Sequence, residues 1–192
     1  MSFQPTWYEK ISHTYENYKK GSILIAKDVG EKGAKNFAFF PNTKILEEYI
    51  STSSEKHFYD CYYYSSKENI KNYPVKLGFD IDIEGEIDSS LKDTIVNTIY
   101  EKVQYELFQY YNKTSSSNDI VVLDSSGLKD NGIYKTSFHI VIKGKYFENQ
   151  KKVEMFVKFH LEDLFENSVL GLDKCIYATY HFLRIMNCSK RE

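Results

Sequence analysis

Two carboxylates, Asp80 and Asp82, interrupt the apolar run Val75-Lys-Leu-Gly-Phe-Asp-Ile-Asp-Ile83. Side chains alternate faces along a strand, so both acids leave one face while Phe79, Ile81 and Ile83 take the other. Like charges that close repel, which raises one pKa or recruits a cation, and hard divalent ions such as Mg2+ and Mn2+ favour carboxylate oxygens. The pair is a candidate metal site; the same spacing also fits an exposed strand end before Gly85. In Lys135-Thr-Ser137-Phe-His139, alternation puts an ammonium, a hydroxyl and an imidazole on one strand face, a trio suited to a polyphosphate. Taken singly, His139 and Ser137 also read as ordinary hydrogen-bonded side chains. Near the C-terminus, Arg184 sits in an apolar run and Lys190 follows a polar bend, adding positive charge that can meet an anion. Arg184 alone fits a structural salt bridge equally well.

Elements must position these groups. Trp7, Ile11, Tyr15 and Tyr18 recur at helical spacing and predict an N-terminal amphipathic helix stopped at Gly21. Strands are expected at 23–26, 37–40 and 57–64, with a helix over 43–49. After the Asp80/Asp82 strand, Ser90 three residues before Asp93 gives a capping signal for a long helix carrying Leu91, Ile95, Ile99, Val103 and Leu107. A strand at 120–123, a turn at Lys129-Asp-Asn-Gly132 and a strand over 137–142 follow. Val153, Phe156, Val157, His160, Leu161 and Leu164 mark another helix, ahead of apolar runs near Ile176 and at 183–186. Strand, helix, strand, strand, helix, strand across residues 75–186 is the split pattern of ferredoxin-like or RNA-recognition-motif (RRM-like) α+β folds.

The 192 residues suit one domain with an N-terminal α/β extension, and the formal charge of −2 argues against a uniformly basic nucleic-acid coat while leaving room for a local basic stripe. Three scattered cysteines, Cys61, Cys175 and Cys188, are too few for a disulfide framework or a four-ligand zinc site, so an intracellular, reducing setting is expected. No stretch approaches the roughly 18–20 apolar residues of a membrane span, and nothing resembles a secretion signal.

The ordered set Lys76-Leu-Gly-Phe-Asp80-Ile-Asp82, Lys135-Thr-Ser137-Phe-His139-Ile-Val-Ile, Asp173-Lys-Cys-Ile-Tyr177, then Phe182-Leu-Arg184-Ile and Ser189-Lys190, resembles the archaeo-eukaryotic primase superfamily. Its primase-polymerase branch, which includes the N-terminal domains of viral primase-helicases, is the nearest likeness. The resemblance spans about residues 55–191. It implies an archaeo-eukaryotic primase fold: a catalytic domain over 1–192, with an N-terminal helical/strand subdomain (1–54) and an RRM-like catalytic core (55–192), forming part of a longer chain. It further implies that Asp80, Asp82 and Asp173 hold two Mg2+ or Mn2+ ions, and that Ser137 and His139 grip an incoming nucleoside triphosphate. Lys135, Arg184 and Lys190 match positions that contact nucleotide or phosphate, while His181 stands where relatives often carry an additional Arg.

The activity so implied is a DNA primase/polymerase acting on a single-stranded DNA template in replication, with a helicase or replication factors as partners. Two metals about 4 Å apart would activate a hydroxyl and stabilise leaving pyrophosphate. Two other classes use some of the same groups. An inactive RRM-like binding module would need paired sheet aromatics and a basic-Gly-aromatic run, and no such run occurs. A metal-dependent nuclease also uses clustered acids and a histidine, but has no need of a triphosphate clamp. Lys143, Lys145, Lys151 and Lys152 are candidates for a template groove.

Overall fold

The computed structural model describes residues 3–19, 21–30, 34–63, 74–114, 116–129, 131–177, 180–185 and 188. It is an α+β protein with two antiparallel sheets, divided into two compact units: Met1–Ile70 with Tyr180–Glu192, and Lys71–Thr179. No helix among the described residues is long and apolar enough to cross a membrane.

The first unit holds β1 (Ile23–Asp28), β2 (Lys35–Phe40), β3 (Phe58–Tyr63) and β8 (Tyr180–Arg184), in the order β2-β1-β3-β8. Alternation along these strands builds two cores. Ile25, Ala38, Phe40 and Phe58 meet Leu46 and Ile50 of α2 (Thr43–Thr52), whose first turn is capped by Asn42 accepting from Ile45 N. Leu24, Ala26, Tyr59 and Cys61 form the other cluster. The expected N-terminal helix shrinks to α1 (Ile11–Thr14) and a 3-10 turn at Tyr15–Asn17. The reason lies in packing. Trp7 joins the first cluster whereas Ile11 and Tyr15 join the second, so the aromatic spacing serves two faces of a sheet, not one helical stripe.

The run at 183–186, expected to close the second sheet, falls elsewhere. Residues 180–184 are β8, and they pair with β3 from Tyr59↔Arg184 to Tyr63↔Tyr180. β3 in turn pairs with β1, so both strands belong with the N-terminal sheet, whereas the resemblance implies a core over 55–192.

The second unit holds β4 (Val75–Glu84), β5 (Ile120–Asp124), β6 (Gly127–Leu128) and β7 (Tyr134–Phe147), in the order β4-β7-β5, with β6 also on β7. Val75, Leu77, Phe79 and Ile81 of β4 are buried, as are Phe138, Ile140 and Ile142 of β7, so one face is apolar throughout. Helices cover it. α3 (Ser89–Tyr111) contributes Ile95, Ile99, Val103 and Leu107, and α4 (Gln150–His160) contributes Val153, Phe156 and Val157. The cap of α3 is Asp88, which accepts from Leu91 N at 2.7 Å; Ser90 lies inside the first turn. The helix expected through Leu164 breaks at Leu161, and α5 (Glu162–Glu166) continues separately.

Candidate active site

The face of the second sheet turned away from these helices carries the chemistry. The β4/β7 register places Asp80 opposite His139, Asp82 opposite Ser137 and Glu84 opposite Lys135. Directly paired residues share a face, so both acids and the Lys135-Ser137-His139 trio leave the sheet on one side. Lys135 Nζ is 2.6 Å from Asp82 Oδ2. His139 Nε2 is 3.0 Å from Asp80 Oδ1, with both side chains only about 15% exposed. That approach falls outside hydrogen-bond geometry, and Asp80 Oδ1 is a buried side-chain oxygen with no hydrogen-bond donor.

A third strip completes β4 on its other edge. Leu172 bridges Ile81, Asp82 N donates to Gly171 O at 2.8 Å, and Asp173 N donates to Asp80 O at 2.9 Å. Further along, Tyr177 Oη donates to Gly78 O at 2.7 Å, so three successive backbone groups on that edge of β4 are satisfied. Gly171 makes the approach possible. Its φ is +60°, and a Cβ there would collide with Ile83 Cγ1 and lie 2.9 Å from Asp82 O. Buried Gln150 of α4 fixes the far end by donating to Ile176 O at 2.9 Å.

This pairing sets Asp173 directly across from Asp80, on the same face as both other acids. Their charges meet at Tyr177, whose phenol is pushed well above its usual range by burial first and by Asp80 and Asp173 next. The carboxylates themselves are not drawn into a cage. Asp173 Oδ1 accepts from Cys175 N at 2.8 Å and Asp82 is held by Lys135; among the described residues no group of three His, Cys, Asp or Glu side chains is gathered closely enough to hold a metal ion.

Ser137 is embedded in a hydroxyl cluster that the strand spacing did not reveal. Ser125 Oγ donates to Ser137 Oγ at 3.2 Å, Ser137 N donates to Ser126 Oγ at 3.1 Å, and Ser125 N donates to Ser137 O at 2.8 Å. The signal was the run Asp124-Ser-Ser-Gly127, which ends β5 beside the trio. Tyr177 and Gly171 were visible only as neighbours of Asp173.

Arg184 is exposed on β8 in the first unit, across from Tyr59. Lys190 lies outside the described residues, as does the side chain of His181. Of the lysines considered for a template groove, Lys151 pairs with Glu154 at 2.8 Å in the first turn of α4, and Lys152 is exposed beside it.

One observation bears on whether a cation belongs beside Asp80, although the three carboxylates are not gathered closely enough to hold one as they stand. Asp80 Oδ1 is buried with no hydrogen-bond donor and with only the His139 ring nitrogen beside it, an arrangement that a cation would stabilise further. Hard carboxylates from Asp80, Asp82 and Asp173 suit Mg2+ or Mn2+. No protein-family model matches the chain, and no curated protein matches it.

Proposed function

We propose that this chain is a metal-dependent nucleotidyltransferase. More particularly, it acts as a DNA primase/polymerase of the primase-polymerase kind, building or extending a strand on a single-stranded DNA template from nucleoside triphosphates. The observation that carries the reading is the register itself: Asp80 sits between His139 on one side and Asp173 on the other, with Asp82 beside Ser137 on the same sheet face. What supports an RRM-like core is the strand order: β4 and β7 lie side by side, β5 lies outside β7, and the Leu172 bridge lies on the other edge of β4.

Asp80, Asp82 and Asp173 would hold the metal. Bound divalent ions would supply Lewis acidity, easing deprotonation of the attacking hydroxyl and offsetting charge on departing pyrophosphate. The chain's other groups position. Ser137, with Ser125 and Ser126 behind it, offers hydroxyl donors to phosphate oxygens, and His139 adds a ring N–H. Lys135, once turned from Asp82, brings an ammonium to the same anion. His139 acts here as a phosphate donor and not as a general base. The serine cluster favours triphosphate capture over simple phosphodiester hydrolysis, which needs no such clamp.

The test is template-directed synthesis by the purified chain with Mg2+ or Mn2+, a primed or unprimed DNA template and nucleoside triphosphates. Strand products are expected, and Asp80→Ala should abolish them. Undiminished product from Asp80→Ala would overturn the reading. Equal triphosphate affinity in wild type, Ser137→Ala and His139→Ala would shift it towards a nuclease.

A further inference from the structure

Four residues along β4 from Asp80, on the same face, Lys76 is paired with Tyr146 of β7. Tyr146 is 60% exposed, although Phe147 next to it is turned to the helices and packs at a tilt against Phe156, ring centroids 5.1 Å apart. Lys76 Nζ stands 5.8 Å from the Tyr146 ring centroid. A β-bulge produces this arrangement. The register jumps from Gly78↔Val141 to Lys76↔Tyr146, and Gly144, at φ +71°, absorbs the extra β7 residues. Lys143 is exposed within this irregular stretch of β7. Lys145, flanking Tyr146, points the other way.

An aromatic ring exposed to solvent, with ammonium groups close by in the chain and across the ladder, is the combination that holds single-stranded nucleic acid: a base stacks on the ring while the lysines meet its phosphates. The lysines make the patch complementary to a polyanion, and the ring is held by Lys76 yet stays largely exposed. We infer that Tyr146 and Lys76, with the exposed Lys143 following in β7, form a stacking platform for a single strand at this end of the sheet. The platform lies about 13 Å along β4 from Asp80. It rests on the reading above only in naming that strand as the template; the stacking itself does not need catalysis.

The experiment is fluorescence anisotropy of a labelled oligothymidylate, and in parallel an oligouridylate, with the full chain in EDTA. Tyr146→Ala should weaken binding about tenfold while Tyr146→Phe retains it. Lys76→Ala should lower affinity and flatten the salt dependence by about 0.7 in the log–log slope. Circular dichroism confirms that each variant folds, as expected for so exposed a position. Unchanged affinity in Tyr146→Ala, or equal loss in Tyr146→Phe and Tyr146→Ala, would overturn the platform. Preference for one oligonucleotide identifies the strand as DNA or RNA, and either supports it. Strand synthesis by the wild type with binding indifferent to Tyr146 would remove the platform and leave the proposed activity standing. Tyr146-dependent binding by a chain that makes no product would do the reverse.

Discussion

Asp82 and Lys135 form an ion pair across the β4/β7 ladder, with Nζ 2.6 Å from Oδ2. The candidate metal site thus carries its own counter-cation, a lysine that must leave one carboxylate before a divalent ion takes it. Because about a third of each side chain is exposed, the pair contributes on the order of 1 kcal/mol or less. Lys135→Met should therefore raise Mn2+ affinity by up to about fivefold while weakening nucleoside triphosphate binding. Isothermal titration with each ligand separately checks both signs. A Lys135→Met protein that binds Mn2+ more weakly would mean that the lysine supports the site and does not compete for it.

Gly171 decides where Asp173 stands. With φ at +60° and Ile83 and Asp82 packed against its Cα, no side chain fits without pushing the 171–173 strip off β4. Gly171→Ala should destabilise the protein by about 1–3 kcal/mol, lowering Tm by several degrees. It should also weaken Mn2+ binding. At Gly132, where φ is also positive but an added methyl group would meet open space, alanine should cost stability alone. Metal affinity that falls equally in Gly132→Ala would detach Gly171 from the placement of Asp173.

Stability at alkaline pH should depend on the first unit. Tyr59 Oη donates to Asp28 Oδ2 at 2.7 Å, and burial first, then the Asp28 carboxylate, push its phenol well above the ordinary value near 10. The folded state prefers the neutral phenol. Its contribution is thus fully present below pH 10 and is lost as pH rises from there towards the folded value. Denaturant titrations should show stability falling above pH 10 in the wild type and a shallower fall in Tyr59→Phe. At pH 7 the variant should lose about 1–3 kcal/mol, because a buried Asp28 oxygen loses its donor. An identical alkaline slope in both proteins would contradict this.

The parts of the site that alternation governs were legible in the sequence. Period two assigns Asp80 and Asp82 to one face and Lys135, Ser137 and His139 to one face, because strand geometry is local. Whether those are the same face was not legible. That depends on register across more than fifty residues of intervening chain, where a slip by one residue would invert every assignment. The same non-local limit misplaced residues 180–184, whose apolar run fits either sheet and pairs with β3. It also hid the division of Trp7 from Ile11 and Tyr15 between two cores, and the serines of 125–126 behind Ser137. Asp88 took the cap of α3 because its carboxylate reaches Leu91 N, which starts the helix ahead of Ser90.

The central claim is that Asp80, Asp82 and Asp173 hold divalent metal beside a triphosphate grip on one sheet face. It is tested most directly by a crystal soaked with Mn2+ and a non-hydrolysable nucleoside triphosphate. Anomalous density is expected against all three carboxylates, with the triphosphate on Ser137 and His139 and Lys135 turned from Asp82 towards it. Manganese bound away from Asp80, or a triphosphate lodged elsewhere while the Lys135–Asp82 pair stays closed, would contradict it.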